Sequence, residues 1–345
     1  MKFPQLSSWE RIKNSGLPAV IYGMGNGADR VLDEFLRLGV PVMGVSASDA
    51  FVRGQTFRGF KVRKLSEFDG EFILAPAFGS SIPEVINHIF DLSRRYNLVY
   101  PVVPVFGDEI FNRDFVNRNI DRIEKAESLF SGKSSEVFES CIRFMFGGDL
   151  NDLLQAESDK SEIYEDFLQL TDNEVYLDLG AYKGDTVTEF LTYTSGRYGK
   201  IIAVEPDRRN YIKLEDNLSD LKNCVTVNKA VGNKSGTVLF SDDAGRQSAV
   251  SDKGKPVECI TVDELCRDID VSYIKADVEG SEALMIEGAR NTISRCRPKL
   301  NIALYHRSSD IFEIPLKIYD INPEYSFEIR KHPYIPCWDM NLYCK

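Results

Sequence analysis

The sequence predicts an α/β protein built from two Rossmann-like, doubly wound domains that are joined by a helical connector. Two glycine-rich turns, at residues 18–28 and 174–186, carry this prediction, because each follows a short apolar run and precedes a segment of helical period. The sequence at 108–167 is poor in glycine and rich in charge. We therefore expect an N-terminal Rossmann-like α/β domain at residues 1–107, a helical connector at 108–167 and a second domain at 168–345.

The first glycine turn fits most of a dinucleotide-binding signature. Gly23, Gly25 and Ala28 match the Gly-x-Gly-x-x-Gly/Ala pattern after a strand. Such a site also wants an acid at the tip of the second strand, where this chain reads Ser46-Ala-Ser-Asp49. Two interpretations stay open: a nucleotide-type site, or a degenerate Rossmann-like domain kept for packing, dimerisation or substrate docking.

The rest of the first half alternates strand-like and helical runs. Residues 72–75 read as a buried strand and residues 82–96 as a helix. Residues 98–105 are apolar but contain two prolines, which predicts an edge strand or an irregular exit. Segments of helical period at 115–130 and 134–146 then predict the connector.

The second glycine turn indicates a ligand more strongly. Gly180 and Gly184 allow a sharp turn and a close approach to the backbone, and Asp178 stands just before them. Glu205 ends the next strand, where a carboxylate can accept hydrogen bonds from both hydroxyls of a ribose. The spacing lacks the three-glycine turn of a pyrophosphate site, so a nucleoside without phosphates, such as S-adenosylmethionine, fits better. The alternative is an ordinary βαβ unit whose glycines only serve packing.

Further strands follow at 225–231, 236–240 and 257–262, and the last two interrupt the doubly wound pattern. Ala230, at the exit of the first of these, is where an adenine edge would rest. The polar loop at 241–248 suits either a substrate lid or a plain surface hairpin.

Four charged residues gather at the end of a predicted buried strand at 273–277. Lys275 and Asp277 lie near its tip, and Glu279 and Glu282 surround the start of the next helix, where carboxylates complement the helix dipole. One capping acid would be ordinary, but four charges at one strand tip indicate an edge that faces a ligand.

With these motifs, the second half of the chain resembles the FkbM family of S-adenosylmethionine-dependent methyltransferases. The resemblance covers roughly residues 126–345 and rests on Leu177-Asp-Leu-Gly-Ala-Tyr-Lys-Gly184, Val204-Glu-Pro206, Pro298-Lys-Leu-Asn-Ile-Ala-Leu-Tyr-His306 and above all Ile274-Lys-Ala-Asp-Val-Glu-Gly-Ser-Glu282. It implies a class I methyltransferase fold, S-adenosylmethionine as cofactor, and methyl transfer to an oxygen of a sugar or another small molecule. Two stretches depart from the family pattern: Tyr182 replaces the usual asparagine, and residues 338–343 follow the terminal Glu-Thr-x-Leu-Tyr pattern loosely.

The resemblance also implies site residues at the strand ends. Asp178 and Gly180 would hold the amino-acid tail of the cofactor and Glu205 its ribose; the full predicted cofactor set is Asp178, Gly180, Tyr182, Gly184, Glu205, Pro206, Ala230 and Asp277. The predicted catalytic residues are His306 as general base, Asp277, and Asp310, which would orient the histidine. For His306 the alternative is a structural histidine at a strand end. We predict no metal, since a cation held by Asp277, Glu279 and a substrate diol is the less favoured interpretation.

Composition narrows the classes of function. The net charge is −11 and no basic run with interleaved aromatic residues occurs, which argues against nucleic acid as a partner. No apolar stretch reaches the length of a membrane span, and the N-terminus lacks the apolar region of a signal peptide. Seven cysteines without a Cys-x-x-Cys pair are typical of reduced thiols in a cytoplasmic protein, and three scattered histidines make a dedicated zinc or iron site unfavourable.

We expect a small-molecule acceptor of carbohydrate type, with neither nucleic acid nor membrane as partner, and the sequence leaves a homo-oligomer open. Two other classes of function also stay open. One is an NAD(P)- or nucleotide-sugar-binding enzyme that uses the N-terminal glycine turn, against which the missing acid at Ser46 speaks. The other is a non-catalytic binding subunit, against which the acids Asp178, Glu205 and Asp277 speak.

Overall fold

The computed structural model describes residues 2–240 and 254–345. The chain divides into two compact units. The first comprises Met1–Glu127, Ser131–Ser158 and Lys331–Asp339, and the second comprises Ser128–Phe130, Asp159–Arg330 and Met340–Lys345. Within the described residues, every helix is too short or too polar to cross a membrane.

The first unit is an α/β unit with one mostly parallel sheet. The helices are α1 (Ser8–Asn14), α2 (Asn26–Leu38), α3 (Pro83–Arg95), α4 (Arg113–Glu127), α5 (Lys133–Gly147) and α6 (Leu150–Ala156). The strands are β1 (Ala19–Tyr22), β2 (Val42–Ser46), β3 (Thr56–Phe57), β4 (Phe60–Arg63), β5 (Ile73–Pro76) and β6 (Asn97–Leu98). They form one sheet in the order β3-β4-β2-β1-β5-β6, in which only β3 and β4 pair antiparallel.

Packing explains one of the glycines near the first turn. All four residues of β1 are buried at the centre of the sheet, and α2 lays Val31 and Phe35 on it. Gly27, one residue before Ala28, has no space for a side chain, because a Cβ there would lie 2.6 Å from the carbonyl oxygen of Ala77. This close approach of α2 to the end of β5 requires glycine at residue 27, whereas a Cβ at Gly25 of the signature would meet no atom within 4 Å, so both interpretations of the turn stay open.

The helices that we predicted as a connector belong mostly to the first unit in this division, because α4, α5 and α6 all lie within its bounds. The segment 331–339 returns to the same unit, where Ile335 pairs with Ser80. The three-segment division of the chain stays a prediction.

The second unit carries a larger sheet. Its strands are β7 (Val175–Leu179), β8 (Lys200–Val204), β9 (Cys224–Val227), β10 (Ala230–Val231), β11 (Gly236–Phe240), β12 (Lys255–Ile260), β13 (Tyr273–Ala276), β14 (Lys299–Ala303), β15 (Phe327–Lys331) and β16 (Met340–Cys344). Its helices are α7 (Lys160–Glu162), α8 (Asp185–Tyr193), α9 (Arg208–Leu218), α10 (Val262–Leu265), α11 (Glu282–Glu287), α12 (Arg290–Cys296) and α13 (Asp310–Ile321), with a π-helical turn at Ile163–Leu168.

Seven of these strands form the order β15-β16-β14-β13-β7-β8-β9. The strands from β14 to β9 are parallel, and β16 lies antiparallel beside β14. The chain runs outward from β7 to β9 on one side and from β13 to β14 on the other, so the strand order reverses between β7 and β13. A ligand crevice is expected outside the carboxyl ends of strands at such a point. The predicted α/β fold class is confirmed.

Stacked aromatic rings hold β7 and β13 together. The ring centroids of Tyr176 and Tyr273 lie 4.9 Å apart, and Phe190 of α8 stacks on Tyr176 at 4.4 Å. All three rings are buried, so this layer fixes the two strands whose ends carry the candidate site.

The third strand is shorter than we predicted. β9 ends at Val227, and Ala230 begins β10, which pairs with β12 in a separate three-stranded sheet. The side chain of Asn228 explains the break, because its amide donates to the carbonyl oxygens of Glu205 and Pro206 and draws the chain away from the strand direction. The polar loop predicted at 241–248 lies outside the described residues.

Candidate active site

The polar residues of the candidate site lie at the carboxyl ends of β7, β8, β13 and β14. Asp178 of β7 and Lys275 of β13 are register partners in adjacent parallel strands, so their side chains leave the sheet at the same level. Glu205 follows β8 directly, and Tyr305 and His306 follow β14. The sheet thus brings together residues that are up to 128 positions apart.

The turn after β7 is built around Gly180. Its φ is +80°, and a Cβ at this position would lie 1.9 Å from the carbonyl oxygen of Asp277. The ends of β7 and β13 therefore approach as closely as backbone allows, and only glycine fits between them. Gly184, with φ +89°, then starts α8, and Tyr182 between them also has a positive φ of +49°.

Asp178 is fully buried and only partly satisfied. Its Oδ2 accepts a hydrogen bond from the hydroxyl of Thr186, whereas its Oδ1 has no hydrogen-bond partner among the described residues. Burial raises the pKa of Asp178, although the nearby Lys275 ammonium and the Thr186 hydroxyl oppose this rise. A buried, unsatisfied carboxylate oxygen beside a glycine turn is suited to a ligand that brings its own donor, such as an ammonium group.

Glu205 is held by backbone donors on both of its oxygens. The N–H of Tyr182 donates to Oε2 at 2.9 Å, and the N–H of Asp207 donates to Oε1 at 2.9 Å. Burial raises the pKa of Glu205 to about 7, against these two hydrogen bonds. The carboxylate is therefore oriented before any ligand arrives, and it changes its charge near neutral pH.

Pro206 follows Glu205, and its carbonyl is held by the Asn228 amide. Ala230 is buried in β10, three residues beyond the end of β9. The predicted contacts of both residues with a cofactor stay predictions.

Asp277, which follows β13, is an ionised carboxylate with three partners. The Tyr305 hydroxyl lies 3.1 and 3.2 Å from its two oxygens and donates to them. The Lys275 ammonium lies 3.9 Å from Oδ2, and Nε2 of His306 lies 3.4 Å from Oδ1. Burial would raise the pKa of Asp277, but the charges of Lys275 and His306 outweigh it and lower the pKa.

Three carboxylates surround the imidazole of His306, which is 1% exposed. Its Nδ1 lies 2.9 Å from Oε1 of Glu282, and its Nε2 lies 3.3 Å from Oε2 of Glu279 as well as near Asp277. Burial alone would lower the pKa of His306, but the carboxylates raise it well above its usual value. The side chains of Asp277 and Glu279 are 33% and 29% exposed, so this cluster opens to solvent on the Nε2 side.

Asp310, which we predicted to orient His306, accepts a hydrogen bond from a backbone N–H. Its Oδ2 accepts the N–H of Arg307 at 2.8 Å near the start of α13, and burial together with the Glu282 charge raises its pKa to about 7. Oε1 of Glu282 lies 2.9 Å from Nδ1 of His306, and the His306 charge acts to lower the pKa of Asp310. The orienting role of Asp310 stays a prediction. Sequence reasoning named Glu282 as part of a charged strand tip, but it did not connect Glu282 with His306.

Sequence reasoning also missed two supporting roles at the site. Thr186 holds Asp178, and Tyr305 holds Asp277. The position of Thr186, two residues into the helix after the glycine turn, and that of Tyr305, directly before the candidate histidine, are the available signals.

The strand order, the glycine turn and the polar crevice define a class I methyltransferase fold. Residues 178–331 match the family model described as methyltransferase FkbM domain, which confirms the predicted resemblance of the second half of the chain to this family. A solved FkbM methyltransferase from Methylobacillus flagellatus KT superposes with a TM-score of 0.74 at 19% identity, over 99% of this chain and 94% of that one. At this identity the likeness shows the fold, and it extends through both halves of the chain.

Other solved structures are more distant. A precorrin-6y C5,15-methyltransferase from Geobacter metallireducens GS-15 matches at 13% identity and a TM-score of 0.34, over 55% of this chain and 92% of that one. A fibrillarin from Aeropyrum pernix, in complex with S-adenosyl-L-methionine, matches at 19% identity and a TM-score of 0.33, over 51% and 68%. Both scores are too low to bear on this fold. No curated protein matches the chain.

Proposed function

We propose that this methyltransferase uses S-adenosylmethionine to methylate a hydroxyl oxygen of a small molecule, with a sugar as the favoured acceptor. The observation that carries the proposal is the cluster of three carboxylates around His306 beside the crevice, because hydroxyl methylation requires removal of a proton next to the methyl donor. The resemblance of the sequence to the FkbM family supports the same chemistry.

The residues at the ends of β7 and β8 fit this cofactor. Asp178 offers a buried oxygen for the ammonium of the amino-acid tail, Gly180 keeps the turn free of a side chain, and Glu205 offers an oriented carboxylate to the ribose hydroxyls. Tyr182, Gly184, Pro206, Ala230 and Asp277 complete the proposed cofactor set. When bound, S-adenosylmethionine supplies a methyl group on a positively charged sulfur.

The acceptor hydroxyl would face Asp277 and Glu279, whose side chains are partly exposed. We predict His306 as the base, but the surrounding carboxylates raise its pKa well above the usual value and so favour the protonated ring. The proton of the hydroxyl is therefore better received by a carboxylate, and Glu279 is favoured because burial raises its pKa. His306 then acts on the acceptor side by fixing these carboxylates, and Asp310 supports the turn before α13.

A sugar is the acceptor class that best suits this edge. Carboxylates are good acceptors for vicinal hydroxyls, and the site combines Asp277 and Glu279 at one strand tip. The N-terminal half also resembles the Rossmann-like domains found on sugar-modifying enzymes, which supports the same class.

The first test is calorimetric titration of the full chain with S-adenosylhomocysteine, followed by transfer of labelled methyl from S-adenosylmethionine to a panel of sugars and other alcohols. The variant His306→Ala should reduce turnover roughly 100-fold, because loss of the cation that fixes the carboxylates displaces the proposed base, and it should leave S-adenosylhomocysteine affinity within about threefold. The control is Glu313→Gln in α13, which should keep the turnover and the S-adenosylhomocysteine affinity of the wild type. Absence of S-adenosylhomocysteine binding by the wild type would refute the proposal, whereas turnover that survives in His306→Ala would refute only the role of the histidine.

A further inference from the structure

The cluster at the end of β13 and β14 contains ligand atoms at distances that suit one metal ion. Asp277, Glu282 and His306 each offer an atom, and these atoms all lie within 4.8 Å of one another. Glu279 adds a fourth group, with Oε2 at 3.3 Å from Nε2 of His306. The cluster therefore mixes a buried imidazole with carboxylates, which is the composition of a metal site as well as of a charge network.

The separations around Nε2 fit a coordination sphere. Nε2 lies 3.4 Å from Oδ1 of Asp277 and 3.3 Å from Oε2 of Glu279. Adjacent ligands bound at about 2.0–2.2 Å in octahedral geometry stand roughly 2.8–3.1 Å apart. Both separations exceed this range by a few tenths of an ångström, so an ion can replace the proton between His306 and the two carboxylates with a small inward movement of the side chains.

Glu282 provides the partner that a metal-bound histidine requires. Its Oε1 lies 2.9 Å from Nδ1 of His306, and the backbone N–H of Val278 donates to the same oxygen at 2.8 Å. A carboxylate at Nδ1 favours a proton there and leaves the lone pair on Nε2 for an ion, as in carboxylate–histidine–metal arrangements. Glu282 is fully buried, so it holds the ring from inside while Nε2 faces the partly exposed acids.

The remaining charges leave one oxygen of Asp277 for the ion. The Lys275 ammonium lies on the Oδ2 side at 3.9 Å, and Oδ1 is the oxygen that faces His306. Two carboxylates with one imidazole and an opening to water suit Mg²⁺ or Mn²⁺.

We propose that Asp277, Glu279 and His306 bind one divalent cation of the Mg²⁺ or Mn²⁺ type, and that Glu282 positions His306 for it. The role of the ion rests on the function proposed above: Glu279 would hold the ion through Oε2, the oxygen that faces His306, and receive the hydroxyl proton through its other oxygen, while the ion would bind the acceptor oxygen and make its hydroxyl more acidic. The binding site itself depends only on the cluster.

The experiment is a Mn²⁺ titration of the EDTA-treated and dialysed full chain, followed by electron paramagnetic resonance. One Mn²⁺ should bind per chain, with a nitrogen modulation of its echo envelope from the imidazole. Asp277→Asn and Glu279→Gln should each weaken binding at least tenfold, and Glu282→Gln should weaken it about 10- to 100-fold. His306→Asn should remove the nitrogen modulation. Glu287→Gln, also in α11 but paired with Lys317 at the surface, should bind as the wild type does.

Failure of this inference is separable from failure of the proposed function, because S-adenosylhomocysteine binding is measured on the same metal-free protein. If S-adenosylhomocysteine binds but Mn²⁺ does not bind below millimolar concentration, the metal site is refuted and the methyltransferase proposal stands. If Mn²⁺ binds with the nitrogen modulation but S-adenosylhomocysteine does not bind, the methyltransferase proposal is refuted and the metal site stands. Binding that the Glu279→Gln variant leaves unchanged would also refute the site, and this partly exposed position carries little risk to folding.

Discussion

Replacement of Glu205 by glutamine tests the cofactor site most directly. Each oxygen of Glu205 accepts one backbone N–H, from Tyr182 and from Asp207, at 2.9 Å. A glutamine side chain has one acceptor oxygen and one NH₂ group, so one of the two backbone donors would face another donor. The variant also removes the negative charge that the ribose hydroxyls would meet.

The expected loss of affinity follows from these contacts. A hydrogen bond to a charged group contributes about 1.5–3 kcal/mol, and some acceptor capacity remains in glutamine. We expect Glu205→Gln to weaken S-adenosylhomocysteine binding by about 3 kcal/mol, or roughly 100-fold. Because burial raises the pKa of Glu205 to about 7, the carboxylate is mostly protonated below neutral pH in the free protein. Hydrogen bonds from a ribose favour the ionised form, so the wild-type dissociation constant should rise about tenfold between pH 8 and pH 6.

Calorimetric titration at pH 6, 7 and 8 measures both effects. Glu205→Gln should show the weaker affinity and little dependence on pH, whereas Glu215→Gln removes the same charge from an exposed position of α9 and should behave as the wild type does. A wild-type dissociation constant that is constant from pH 6 to pH 8, or a Glu205→Gln variant with unchanged affinity, would refute this account of Glu205.

Two further predictions concern stability, measured as the free energy of unfolding in denaturant. Gly180→Ala should cost more than about 3 kcal/mol, because it adds a clash with the carbonyl of Asp277 to the strain of a positive φ. Gly196→Ala (φ +73°, open space) should cost only the strain of about 1–2 kcal/mol, so equal losses would contradict the clash. Glu174→Gln should cost about 2 kcal/mol, because it weakens a partly buried hydrogen bond from Lys299. The lowered pKa of Glu174 means that this difference is present above about pH 4.5 and disappears as the pH falls; a difference that persists in acid would contradict it.

Much of the fold could be predicted because local pattern and tertiary structure agree. The run before Gly180 is apolar because β7 is buried in the sheet, and the glycine is required by the backbone of Asp277. Glu205 could be predicted for a similar reason, since the end of the second strand in this fold always faces the crevice. At β7, Gly180 and Glu205, the residue type seen in the sequence therefore follows from a single structural requirement.

The contacts of His306 could not be predicted in this way. Glu282 and Glu279 reach the ring from the turn after β13, more than twenty positions earlier, and periodicity does not say which carboxylate meets which nitrogen. The end of β9 was missed for a related reason. Asn228 ends the strand through its side-chain bonds to the chain after β8, and a strand propensity does not contain such a partner.

Two carboxylates of the crevice, Glu205 and Asp277, respond to pH in opposite ways. Backbone N–H groups orient Glu205 without offsetting its burial, so its pKa lies at about 7, whereas the charges of Lys275 and His306 lower the pKa of Asp277. Mild acid should therefore protonate the proposed ribose partner and leave Asp277 ionised. Protonation of Glu205 between pH 8 and pH 6 should then raise the KM for S-adenosylmethionine, whereas protonation of Glu279, whose pKa burial also raises, should lower kcat at saturating cofactor. A KM that stays constant over this range would contradict the role of Glu205.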